Sequence, residues 1–435
     1  LPISQALNAV GDVYKKAGEN FPLTFKSLRW TAARDGDNDG LWDDCHSSIL
    51  ADPGASLARV PAWIIGQPVV DLVLPAGGNN PVLSYTDGNV SFLAGGSEAT
   101  VNNVSYSEVG IVQLRADGLN AFLGENVEVC SPYIGRFTPD HFETTIVNNG
   151  VLQDGCSGFT YSGQSFTYDT PNYPDMLITA VGSGGNTTLN YRDDFVKMTN
   201  PTTQISMSTV TNDASNLGAD GTSFLSLIWS PGSSSLVANN DGTLNFNLGV
   251  DEFIYTREAN ALVAPIDSDI RLPVSSLADS DGIIATDLPR SFIPAATEIR
   301  YGRMLLQNAH GPETQPLTIP VRTKYYNGSV FTLNESDNCT VYDSGSLLLT
   351  MNLADSGTTT ASGNGTLVSG SGNNLSLSAP GVGHEGSVGL ELDLSQATGL
   401  NLEWLQPDGT NPTAKATFGI FKGNPRLIYM RESVW

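Results

Sequence analysis

Leu317-Thr318-Ile319-Pro320-Val321-Arg322-Thr323-Lys324-Tyr325 decides the fold class. Leu317, Ile319, Val321 and Tyr325 share one face, and Thr318, Arg322 and Lys324 take the other. A repeat of two places alternate side chains on opposite sides of an extended chain, so one side packs on a core while the other meets water. The same pattern recurs elsewhere. Val388, Leu390, Leu392 and Leu394 alternate with Glu391 and Asp393, and Leu347, Leu349, Met351 and Leu353 occupy every second position. From Gly110 to Ala116, Val112, Leu114 and Ala116 alternate with Gln113 and Arg115. Runs of this kind, punctuated by Gly, Asn, Asp and Pro, predict half-buried antiparallel strands. The expected architecture is all-β: two or three stacked antiparallel β-sandwich domains of immunoglobulin-like type. One stretch departs from this pattern. Leu7, Val10, Val13 and Tyr14 fall near helical spacing between Ser4 and Lys16, which predicts a short N-terminal helix.

A chain of 435 residues exceeds one ordinary core, so several domains are expected. The proline-bracketed run Ser131–Phe142 reads as one junction, and Asn260–Pro265 as a second. The resulting division is 1–135, carrying an acidic Asp-rich loop, then 136–260, then 261–435. The stretch Ala354–Gly381 is rich in Ser, Gly, Thr and Asn. Strand-like Thr366-Leu367-Val368 and Leu375-Ser376-Leu377 assign it to the last domain as thin hairpins.

Lys and Arg number 21 against 45 Asp and Glu, a net charge of −24. Such a chain repels phosphate backbones and anionic bilayers, which argues against nucleic-acid partners. No run approaches the roughly 18 apolar residues that a membrane-spanning helix needs. The chain begins Leu1-Pro2-Ile3 without Met, as expected of a processed product or a fragment of a longer protein. Cys45, Cys130, Cys156 and Cys339 form no CxxC pair, so zinc and thioredoxin-like sites are disfavoured. Two disulfides in an oxidising compartment are expected, with three connectivities open. Cys45–Cys130 is favoured because both fall in the first domain, and free buried thiols are the alternative.

The sharpest chemical motif is Asp35-Gly36-Asp37-Asn38-Asp39-Gly40-Leu41-Trp42-Asp43-Asp44. Carboxylates at alternate positions converge on one point when glycine lets the loop turn, which suits Ca²⁺. Asp35, Asp37 and Asp39 take the first three ligand positions and Asp43 the ninth. His46 stands where a bidentate acid belongs, with Asp44 as its substitute; a solvated acidic turn is the competing reading. Asp279-Ser280-Asp281-Gly282 reads first as an Asp-Gly turn, and otherwise as a metal site of Asp279, Asp281 and Asp287. Catalysis finds little support. His310 is the best-placed acid–base candidate and reads better as a turn residue, and no nucleophile elbow is present. Arg300, Arg303 and Glu313, with Arg431 and Glu432, suit ion pairs between sheets or, alternatively, a ligand carboxylate. Trp42, Tyr325, Tyr326 and Trp404 are the candidates for stacking on sugar rings.

Two dense blocks lie in the last third. The first runs Glu298-Ile299-Arg300-Tyr301-Gly302-Arg303, then Gln307–Glu313 and Tyr325-Tyr326-Asn327-Gly328. The second is Ala416–Asn424 followed by Ile428-Tyr429-Met430-Arg431-Glu432. With Ile134-Gly135-Arg136-Phe137 ahead of Pro139 and His141-Phe142, and with the DSDG step, they resemble the C-terminal region of MshQ-like proteins. That family is associated with the mannose-sensitive haemagglutinin (MSHA) type IV pilus of aquatic bacteria. The resemblance covers roughly Ser131 to Trp435 well and the first 130 residues loosely. It implies a non-enzymatic, extracellular bacterial surface protein acting in adhesion, surface attachment and biofilm formation, with pilus proteins or surface glycans as partners. The alternative is a calcium-dependent carbohydrate-binding module centred on Asp35–Asp44.

Overall fold

The computed structural model describes residues 8–29, 57, 59–85, 89–117, 128–208, 225–258, 261–395, 397 and 399–419. Over these residues the chain is nearly all β, arranged as many small, mostly antiparallel sheets packed in a sandwich-like manner without a barrel. The period-two runs form the expected strands. Leu347–Leu353 pairs with Gly386–Leu392, which pairs in turn with Thr413–Phe418. Among the described residues three strand pairings are parallel: Lys15–Lys16 with Phe137 and Thr138, Thr160–Tyr161 with Ile299 and Arg300, and Ala309–Gly311 with Ala416 to Phe418.

The apolar faces gather into three clusters. The first surrounds Phe21, Phe92, Tyr106 and Phe137, under strands that include Phe21–Lys26, Val69–Leu74, Glu98–Val104 and Ile134–Thr138. The second lies around Phe142, Ile178, Phe246 and Phe253, between the four-stranded sheet begun by His141–Asn148 and the sheet containing Glu252–Arg257. The third lies around Met304, Val321, Leu390 and Phe418. Fully burying one such side chain contributes roughly 1.5–3 kcal/mol. Alternation lets a single strand serve two clusters. In Gly110–Asp117, Ile111 packs into the second cluster while Val112 and Leu114 pack into the first.

The expected N-terminal helix is not what the described part of that segment forms. Asn8–Gly11 is a turn, and Lys15–Lys16 is a strand. The Tyr14 N–H donates to the Arg136 carbonyl at 2.9 Å and the Ala17 N–H to the Thr138 carbonyl at 2.7 Å. Tyr14 packs edge-on against Phe21 and Phe137. Val10, counted towards an apolar helical face, is 80% exposed. Sheet pairing and one aromatic contact outweigh a weak helical period interrupted by Gly11. Among the described residues the one α-helical turn is Pro201–Gln204, where the Asn200 side chain caps the Thr202 N–H.

Candidate functional site

The residues that carry the sequence motifs converge on the places where one apolar cluster meets the next. At the first joint, Arg136 stands in Ile134–Thr138 with only 4% of its surface exposed. Gly135 before it has φ 140°, a left-handed conformation that favours glycine, and a Cβ there would stand 2.8 Å from the Gly110 carbonyl oxygen. The guanidinium holds both carboxylate oxygens of Asp281. Nη1 pairs with Oδ2, Nη2 donates to Oδ1 at 2.8 Å, and Nε donates to the Gly11 carbonyl at 2.8 Å. This is a bidentate fork across 145 residues of sequence.

The DSDG turn is shaped to present Asp281. Asp279 Oδ1 accepts the N–H groups of Asp281 and Ile283 at 2.9 and 3.0 Å, and Oδ2 accepts the Tyr191 hydroxyl at 3.0 Å. Burial pushes Asp279 above the usual carboxylate range, against the pull of the Ile283 N–H and the Tyr191 hydroxyl. Burial, with Asp279 nearby, likewise raises Tyr191. Burial and the neighbouring Arg136 lower Lys197. Asp287 stands apart from the other two. It accepts the Thr144 N–H at 2.8 Å and pairs with Arg290 at 2.9 Å. The three side chains are thus engaged separately, Asp279 within the turn, Asp281 with Arg136 and Asp287 with Arg290.

A buried carboxylate reinforces this joint. Glu108 accepts Asn79 Nδ2 at 2.9 Å and the Leu189 and Asn190 N–H groups at 3.1 and 3.0 Å. The Asn190 side chain grips the Asn79 backbone twice, its Oδ1 accepting the Asn79 N–H and its Nδ2 donating to the Asn79 carbonyl, each at 2.7 Å. With the Val109 N–H at 3.3 Å, each Glu108 oxygen faces two donors, which is what a buried carboxylate needs to be tolerable.

The second joint is covalent. Cys156 and Cys339 form a disulfide over a separation of 183 residues. Cys156, Phe159 and Tyr161 leave their own neighbourhood and enter the third cluster. Beneath the bridge lies Asp337, fully buried. Its Oδ2 accepts the Tyr161 hydroxyl at 2.8 Å and the Thr323 hydroxyl at 2.7 Å. Its Oδ1 accepts the Cys339 and Thr340 N–H groups at 3.2 and 3.0 Å. Asn334 Nδ2 donates to the Tyr161 oxygen at 2.6 Å, and Arg300 Nη1 donates to Asn334 Oδ1 at 2.6 Å. Burial and the Asp337 charge hold the Tyr161 hydroxyl well above its ordinary value. The Tyr161 ring lies against Gly302, where a Cβ would run into it, so Tyr301-Gly302-Arg303 needs its glycine for this close approach.

These observations rearrange the arginine expectation. Arg300 pairs with Glu298 and stacks between Phe159 and Tyr325, at 4.6 and 4.7 Å from their ring centroids. Arg303 stacks on Phe331 at 3.6 Å instead of pairing with Glu313. Arg431 and Glu432 lie outside the described residues. His310 sits in the strand Ala309–Gly311, not in a turn. The sugar-stacking candidates have occupied faces. Tyr325 meets Arg300, Tyr326 is buried against Phe331, and half-buried Trp404 packs on the third cluster. Trp42 lies outside the described residues, as do Asp35, Asp37, Asp39, Asp43 and Asp44, the expected Ca²⁺ ligands. Among the described residues one Cys/Asp group has metal-like spacing, Cys156, Asp337 and Cys339, and its sulfurs are bonded to each other. Sequence reasoning missed Glu108 and Asp337 and the polar roles of Tyr161 and Asn190, because an isolated buried polar residue leaves no local pattern.

A shallow cleft of about 420 Å³ lies beside the second joint, lined by Gln153, Asp154, Gln164, Phe166, Asp251 and Glu252. Two of its acids are held. Asp154 accepts Thr297 Oγ1 at 2.6 Å and the Gly158 N–H at 3.0 Å; Asp251 accepts the Tyr168 hydroxyl and the Gly232 N–H, each at 2.8 Å.

Models of three successive domains of one family match the chain: DUF6701 second domain over residues 3–104, third domain over 108–291 and fourth domain over 300–433. No curated protein matches it. Among solved structures, that of Yersinia pseudotuberculosis InvD covers 87% of this chain and 90% of its own at 12% identity, with a TM-score of 0.24. That likeness is too low to carry an argument.

Proposed function

The chain belongs to the DUF6701 family, and from that premise we propose that it is a non-enzymatic extracellular surface protein, associated with an MSHA-like type IV pilus and acting in adhesion or surface attachment. The observation that carries this reading is the joining of successive β-rich clusters by the Arg136–Asp281 fork and the Cys156–Cys339 bridge. A body that must transmit load between a cell and a surface needs its modules coupled end to end, and an ion pair plus a disulfide supplies that. The disulfide suits an oxidising compartment. The buried acids serve as acceptors for fixed donors, an arrangement that favours scaffold over catalysis. The sequence resemblance to MshQ-like proteins supplies the pilus.

Antibody labelling tests the reading. Intact cells should stain without permeabilisation, and shearing that strips pili should remove the signal with them. Signal that appears only after permeabilisation would overturn it.

The second reading, a calcium-dependent carbohydrate-binding module, rests on the spacing of Asp35, Asp37, Asp39, Asp43 and Asp44. Calorimetric titration with Ca²⁺, followed by a glycan array in calcium and in EDTA, tests it. Binding that Asp37→Ala abolishes supports it, and no heat of binding up to millimolar Ca²⁺ removes it.

A further inference from the structure

Basic residues are scarce in this chain, yet three of them share one face of a sheet over the third cluster and a fourth reaches it from the neighbouring cluster. Arg303 on Gly302–Leu306 lies directly opposite Lys324 on Val321–Tyr326, and Leu305 lies opposite Arg322. Directly opposed residues of an antiparallel pair point to the same side, with Cβ atoms roughly 5 Å apart, and like charges placed so repel. Lys324 in turn faces Leu333, Tyr326 faces Phe331, and Arg322 faces Ser371. Arg257 joins from the neighbouring cluster. Its guanidinium lies 3.9 Å over the Tyr301 ring, which meets Phe331 edge-on at 5.3 Å.

Nothing described neutralises this face. Among the described residues, none of Arg257, Arg303, Arg322 and Lys324 forms an ion pair, although acids outnumber bases 45 to 21. Arg257 Nη1 donates to the Glu258 and Ala261 carbonyls at 3.1 Å. Arg303 Nε is buried with no hydrogen-bond partner. Acids do lie nearby: Glu258 follows Arg257 in the chain, Asp408 is close enough to Tyr301 to act on its hydroxyl, and exposed Glu335 stands in the turn after Phe331–Leu333. Burial raises the Tyr301 hydroxyl, and Arg257 and Arg303 both pull against it, so both cations stand close to this ring.

A same-sign cluster kept unpaired in an acidic protein is the signature of a surface that meets anions. We infer that the outer face of the Gly302–Leu306, Val321–Tyr326 and Phe331–Leu333 sheet binds a linear anionic polysaccharide bearing carboxylate or sulfate groups, through Arg303, Arg322, Lys324 and Arg257. A guanidinium lying over a ring can still offer its uncommitted N–H groups to an oxyanion. Over the roughly 8 Å Debye length of physiological salt, these local charges outweigh the distant net charge. A second copy of the chain fits less well, because two bodies of net charge −24 repel. A single-stranded nucleic acid asks for free aromatic faces, and here Phe331 and Tyr301 are capped by guanidinium groups. The inference stands apart from the pilus reading, since it needs neither pilus nor calcium.

The test is affinity of the purified chain for immobilised heparin and polygalacturonate, with dextran as the neutral control. The sulfate and carboxylate arms separate the two anion chemistries. Retention on at least one polyanion in EDTA, released by salt, is expected, with no retention on dextran. The exposed-side variant Arg322→Gln/Lys324→Gln should bind roughly tenfold more weakly or worse, with an unchanged melting temperature. Arg271→Gln, on the second cluster, should leave binding unchanged. Failure of the wild type to bind at low salt would overturn the inference, as would equal binding by the double variant. Equal affinity for single-stranded DNA would overturn it too, and so would self-association in sedimentation that the double variant abolishes.

Discussion

At the joint around Arg136 a guanidinium and a carboxylate meet across 145 residues, while at the joint around Cys156 a disulfide closes 183 residues over a buried aspartate. The first joint is non-covalent, and its strength rests on both charges being present together out of water. The second is covalent, and its polar centre, Asp337, collects two hydroxyls and two backbone N–H groups. The difference teaches where each joint is vulnerable. The first fails when either partner is removed, and the second survives loss of the bridge better than loss of its acceptor.

Asp337→Ala should produce the largest effect, about 5 kcal/mol in denaturant unfolding, because four buried donors lose their acceptor at once. Asp337→Asn should cost clearly less, since its carbonyl still serves Cys339 and Thr340. Equal losses for the two would show that the charge, and not the count of acceptors, matters at this joint.

Arg136→Ala should cost about 3 kcal/mol, the low end for a buried pair, since it strands the part-buried Asp281 carboxylate. The double replacement Arg136→Met/Asp281→Leu should recover much of that loss, because two apolar side chains fill the same space without a charge to desolvate. A double variant no more stable than the single one would place the loss in packing instead.

Removing the bridge with Cys156→Ser/Cys339→Ser should cost about 2–5 kcal/mol in the same assay. A loss greater than that of Asp337→Ala would reverse the ranking within the second joint.

The smallest effect concerns pH and separates two aspartates near the first joint. Asp279 titrates above its unfolded value, so its ionisation in the fold costs stability. Wild type should therefore gain on Asp279→Asn as pH falls from neutral towards about 4. Asp140 behaves oppositely. Burial raises it, but the hydrogen bonds from His141 and Lys16 outweigh burial and leave it low. Its contribution is present above about pH 4 and disappears as pH falls through its folded value, so the gap between wild type and Asp140→Asn should close in acid. Urea midpoints at pH 7, 5 and 3 would show the two slopes, and slopes of one sign would contradict the assignment.

Much of the fold was legible because period-two alternation is a local property. Leu347–Leu353 and Gly386–Leu392 announce themselves without reference to partners. The joints were legible only in part. Arg136 and the DSDG step stood out as motifs, but nothing in a single sequence says that residue 136 meets residue 281. The cysteines show the same limit. Counting predicted disulfides, yet only the entry of Cys156–Tyr161 into the third cluster explains why Cys156 pairs with Cys339. The expected Cys45–Cys130 bridge lies outside what is described, because Cys45 is not among the described residues. The N-terminal helix failed for a physical reason as well: Val10 and Val13 found no core, and Tyr14 found Phe137 through a sheet contact.

Differential scanning calorimetry of the oxidised chain and of Arg136→Ala tests the central claim, that the joints couple the clusters into one body. The account predicts a single cooperative transition for the wild type and a split into two for Arg136→Ala, the first cluster melting earlier. Separate transitions already present in the wild type, unchanged by the substitution, would contradict it.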